Sequence, residues 1–156
     1  MESQNSTGQD GKLTFDECWE LLAVSVVGRL ALVVDGHPEI FPVNFVIERR
    51  SVVFRTAPGT KLWESAKESA AAFEIDGYDT RTGEAWSVTA RGVTSIIDNH
   101  EERAAADALG LEAWEPGNKA HYVRLAPKVL TGRRFKVAAP DIWNTRLADQ
   151  RRLAFE

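Results

Sequence analysis

Asp35-Gly36, set between two β-branched and apolar runs, most constrains what this chain can fold into. Arg29 to Val34 reads as a strand, Asp35-Gly36 as a two-residue hairpin turn, and Glu39 to Ile47 as the returning strand. A second tight turn at Glu48 to Arg50 leads into Val52 to Phe54, so successive strands run antiparallel. Ala70 to Asp76 and Trp86 to Ile97 follow as strands around a polar loop, Tyr78 to Gly83, and two more are read at His121 to Leu125 and Val129 to Phe135. The intervening helical segments are too few and too short to cross between parallel strands. About six or seven strands in hairpin order predict an antiparallel barrel, not a doubly wound sheet.

The helices announce themselves through their caps. Thr14-Phe15-Asp16-Glu17 fits a capping box, and Phe15, Cys18, Trp19 and Leu22 follow at helical spacing to about Val24, which places Cys18 in packing. Asp98 is read as the cap of a helix from Asn99 to Leu109, ended by Gly110. Leu111 to Lys119 is a loop containing Trp114. Residues 1–12 are polar and read as a disordered tail, 13–137 as one domain, and 138–156 as a second tail with a helical piece at Asn144 to Leu153.

A net charge of -4 argues against a nucleic-acid partner. No apolar run approaches the ~20 residues of a membrane span and no signal peptide opens the sequence, so the expectation is a cytoplasmic protein without a membrane partner. Cys18 is the only cysteine, which removes an intrachain disulfide and a cysteine metal cluster. His37, His100 and His121 fall on different elements with no ligand spacing, and no nucleophile-elbow, P-loop, HExxH or GxGxxG motif is present. Any difficult chemistry is then expected to come from a bound cofactor.

The stretch Val52 to Leu62 is the richest in polar chemistry. A short strand runs into Pro58-Gly59, and Thr60 stands where it caps a helix from Lys61 to about Lys67. Arg55, Thr56, Thr60 and Lys61 thus gather around a turn whose backbone N–H groups favour anions. Read alone, the stretch is equally a phosphate seat or a solvated turn. Alternation puts Phe54 and Thr56 on one face and Arg55 on the other, so Thr56 is the safer phosphate contact and Arg55 is expected to pair with an acid unless the strand end twists enough to bring both round.

Val27-Gly28-Arg29-Leu30-Ala31, Pro42-Val43-Asn44, Phe54-Arg55-Thr56 with Gly59-Thr60-Lys61-Leu62, Ala72 to Asp76 and Trp86-Ser87-Val88 occur in an order that resembles one family. It is the pyridoxamine 5'-phosphate oxidase-like, FMN-binding split-barrel family, in its short single-domain form. Gly92 and Thr131-Gly132-Arg133-Arg134 also match, and the likeness runs from Thr14 to Phe135. The resemblance implies a mainly β fold, a six-stranded antiparallel split barrel, paired as a homodimer with FMN at the subunit interface. It implies that Arg55, Thr56, Thr60 and Lys61 hold the phosphate and that Pro42, Val43 and Asn44 run beside the flavin ring. Trp86 and Ser87 match a later strand position that contacts the cofactor, and Trp114 a loop that approaches it. The established vitamin B6 oxidases carry a longer C-terminal segment with substrate-binding Arg and His, which 138–156 does not reproduce, so B6 oxidation is not expected. What remains is an FMN-dependent oxidoreductase of a small organic substrate, a deazaflavin-dependent reductase, or a flavin-binding dimer without turnover. Fold kinship does not choose among them.

Overall fold

A computed structural model describes residues 11–114, 117 and 120–138. The helical piece expected at Asn144 to Leu153 and residues 1–10 of the expected N-terminal tail lie outside them. Helix α1 spans Phe15–Val24, followed by strands β1 (Val27–Val34), β2 (His37–Glu48) and β3 (Ser51–Thr56). Helix α2 (Lys61–Ser65), strands β4 (Ala70–Asp79) and β5 (Glu84–Ile97), helix α3 (His100–Ala108) and strand β6 (His121–Lys136) complete the order. All six strands pair antiparallel in a closed ring, β1-β2-β3-β6-β5-β4.

The turns that close this ring are local. Asp35 and Gly36 both have positive φ (50° and 79°), the backbone that a two-residue hairpin needs to match strand twist. Arg49 and Arg50 adopt the same conformation (φ 49° and 54°) at the second turn without a glycine. Inside the ring, Leu30, Phe45, Phe54, Phe73, Ile75, Val88 and Leu125 are buried in one cluster. Phe45 and Phe73 meet edge to face, centroids 4.8 Å apart. Helix α1, held by the Thr14–Glu17 capping box, adds Cys18 and Leu22 to this core. A Cβ at Gly132 would lie 2.6 Å from Cys18 Sγ, so the glycine of β6 lets α1 seat closely. On the outside, α3 covers Val53 and Tyr122 through Ala106, with Ile97 in the same cluster. Among the described residues no helix is long and apolar enough to cross a membrane.

Four sequence expectations are corrected. The two late strands are one, because β6 continues through Pro127: Arg91 pairs with Val129 but Gly92 with Pro127, leaving Lys128 as the extra residue of a bulge. A bulge is where a strand tolerates a residue without an N–H. The cap of α3 is Asn99, whose Oδ1 accepts from the N–H groups of Glu101 and Glu102, one residue later than Asp98. Tyr78 and Asp79 belong to β4, not to the loop. Gly11 and Lys12 are not tail: Arg134 donates its backbone N–H to Gly11 O, and Lys12 bridges Arg133.

Candidate functional site

The strand-to-helix turn after β3 is built by Thr60. Its hydroxyl accepts the N–H of Trp63 (3.1 Å) and donates to Ala57 O (2.9 Å), with Thr56 Oγ1 at 3.2 Å. That hydroxyl is therefore committed to shaping the turn. Thr56 is buried at the inner end of β3, while Lys61, on the first turn of α2, is 70% exposed and pairs with Glu39 at 3.3 Å. An exposed pair of this kind contributes little and yields easily to a competing anion.

Beside the turn lies a cleft of about 520 Å³ over the outer face of β2. Pro42 and Asn44 face it from β2, Val27 from β1, and Leu62 from α2, with Ala113 and Trp114 on the far side. Val43 borders it, but alternation turns its side chain into the core, where it is 9% exposed. Arg55 also borders it. As the strand period requires, it points opposite to Thr56, lies 5.3 Å above the Tyr122 ring and donates to Leu111 O at 3.1 Å. Asn44 is spent in the same way: Nδ2 donates to Glu112 O at 2.5 Å and Oδ1 accepts Trp114 N–H at 3.3 Å.

Eight of the expected residues thus converge on one cleft: Pro42, Val43, Asn44, Arg55, Thr56, Thr60, Lys61 and Trp114. Trp86 and Ser87 do not join them within one chain. They line a second cleft, with Glu74, Asp76, Tyr78 and Phe135, because β5 stands opposite β2 in the ring. There the Trp86 indole lies against Gly77, whose Cβ would fall 2.4 Å from the ring. Arg29 bridges Glu74 and Asp76 at 3.0 and 2.9 Å. Burial, with Asp76 adding its charge, raises the Glu74 carboxyl above its ordinary value despite that arginine. Sequence reasoning missed Glu39 as the partner of Lys61, and Val27 and Leu62 as apolar lining. No local pattern marks them, since their place depends on how β1, β2 and α2 meet.

A closed six-stranded antiparallel barrel with a polar strand-to-helix turn beside an outer-face cleft places the chain in the split-barrel class of folds. The chain belongs to the pyridoxamine 5'-phosphate oxidase family, whose model matches residues 14–134. A solved FAD-binding protein from Mycobacterium smegmatis is 40% identical, covering 81% of this chain and 99% of its own, with a TM-score of 0.73. A protein of unknown function from Corynebacterium diphtheriae is 32% identical, covering 82% and 100%, with a TM-score of 0.67. An uncharacterized Mycobacterium tuberculosis protein, Rv0080, is 29% identical over 135 residues, 83% of this chain and 88% of that protein.

Proposed function

We propose that the cleft over β2 holds a flavin nucleotide, its phosphate at the Thr56–Lys61 turn and its ring between Pro42 and the 111–114 loop. The observation that carries this is the division of the cleft: an ammonium and a hydroxyl at one end, apolar and aromatic walls at the other. Few, well-placed polar groups in a largely apolar cleft are what orient such a ligand. Bound there, the flavin supplies hydride chemistry, and the chain's part is to seat the phosphate, flank the ring and exclude water. The reading is an oxidoreductase of a small organic substrate.

FMN needs only the phosphate seat. FAD is the second reading, favoured by the likeness to the M. smegmatis FAD-binding protein. Purified protein should be yellow, and chromatography of the cofactor released by heat separates FMN from FAD. Protein that carries no flavin and binds neither nucleotide on titration would overturn the proposal. A flavin carrier without turnover is a further reading, since no carboxylate or histidine is among the described residues lining the cleft. Steady-state reduction of the bound flavin by nicotinamide or deazaflavin donors distinguishes it.

Homodimerisation belongs to the same reading. Val33 and Ile40 are 66% and 67% exposed on the outer face of β1 and β2, an apolar surface beside the cleft that asks to be covered. A second copy is also the route by which Trp86 and Ser87, across the ring from β2, reach a ligand. Sedimentation at micromolar concentration should give a dimer. A monomer that still binds flavin would assign the site to one chain.

A further inference from the structure

An exposed tryptophan on a loop is held with more care than solvent contact explains. Trp114 is 68% exposed, yet its loop is fixed at three points. Leu111 is buried, and its carbonyl accepts from Arg55. Asn44 then takes the carbonyl of Glu112 and the N–H of Trp114 with one amide group. Acceptor and donor two residues apart are what a neighbouring strand would meet, so the Asn44 side chain substitutes for a strand and ties 112–114 to β2. The effect is to place Ala113 and Trp114 opposite Pro42 across the cleft.

We propose that Asn44 is a positioning residue that acts on the ligand through this loop, and that Trp114 is the aromatic wall that selects a flat ring. This rests on the reading of the cleft as a flavin site. Asn44 has each end of its amide engaged by the loop backbone, through one N–H of Nδ2 and one lone pair of Oδ1, so its effect on a ligand runs through the loop it holds. The indole offers a large face with few rotamers to freeze, the form in which an aromatic contact loses least on binding. Arg55, whose guanidinium rests on Tyr122 behind the loop, supports the same placement.

The test titrates wild type, Trp114→Ala, Trp114→Phe, Asn44→Ala and the Asn44→Ala/Trp114→Ala double variant with riboflavin and with FMN. Trp114→Ala should weaken both ligands by the same factor, about tenfold, because the lost contact is to the ring they share. Trp114→Phe should keep most of the affinity. Asn44→Ala should lose severalfold, and the double variant should bind no worse than Trp114→Ala alone, since Asn44 has no effect left to transmit. Melting curves of each unliganded variant separate a folding defect from a binding one, and Asn44→Ser serves if Asn44→Ala fails to fold. Unchanged affinity in Trp114→Ala, or losses that multiply in the double variant, would overturn the proposal while wild-type binding keeps the flavin site. Wild type that binds neither ligand overturns both.

Discussion

FMN should bind about a hundredfold more tightly than riboflavin, and Lys61→Ala should remove at least about a factor of ten of that advantage while leaving riboflavin unaffected. Each charge-assisted contact to a phosphate contributes roughly 1.5–3 kcal/mol, so two contacts correspond to about two decades or more in affinity. The structure lowers the share of Thr60, whose hydroxyl is committed to the turn, and of buried Thr56, whose hydroxyl lies 3.2 Å from it, so on the proposed reading the anion is met by Lys61 and the backbone N–H groups of the turn. Lys61 also gives up something on binding, because Glu39 already sits 3.3 Å from its ammonium. Glu39→Gln should therefore raise FMN affinity severalfold and leave riboflavin alone, the opposite sign to Lys61→Ala. Neither change should move the unliganded melt much, since an exposed pair is worth at most about 1 kcal/mol. Equal affinities for FMN and riboflavin in the wild type, or unchanged FMN affinity in Lys61→Ala, would remove the phosphate seat.

How much of this was legible depends on the distance over which each feature is decided. The Asp35-Gly36 turn, the Thr14 capping box and the turn at Thr60 are written in neighbouring residues, and the structure forms them as read. The opposed faces of Arg55 and Thr56 follow from strand period alone. Asn44 is different. Alternation places it on the outer face of β2, but its partners are 68 and 70 residues away on a loop with no pattern of its own. Trp86 and Ser87 lie away from the cleft within one chain for a similar reason: only the order of strands around the ring puts β5 opposite β2. The bulge at Pro127 is hidden by the same kind of distance. Pro127 reads as a strand end until Gly92, on another strand, is seen to allow the backbones to close.

That close approach makes Gly92→Ala the most damaging small substitution expected in the barrel. A Cβ on Gly92 would lie 2.1 Å from Ala126 O, 2.9 Å from Ala126 C and 3.0 Å from Pro127 Cα. Ordinary C···O contacts begin near ~3.3 Å, so β5 and β6 would have to separate by about 1 Å at the bulge. The obstacle is backbone, with no rotamer to swing aside, and the adjacent ladder bonds would lengthen beyond useful distance. Overpacking that side chains can absorb costs about 1–3 kcal/mol; this case belongs at or above the upper end. A loss of ~3 kcal/mol is a large part of the ~5–15 kcal/mol that holds a domain together. Gly36→Ala is the contrast. Its φ of 79° favours glycine, but a Cβ there meets nothing, so the cost is only the ~1 kcal/mol of an unfavourable backbone region. Urea melts of both variants beside wild type decide the matter. If Gly92→Ala loses no more stability than Gly36→Ala, the bulge can relax, and the tight approach of β5 to β6 is not what holds this side of the barrel closed.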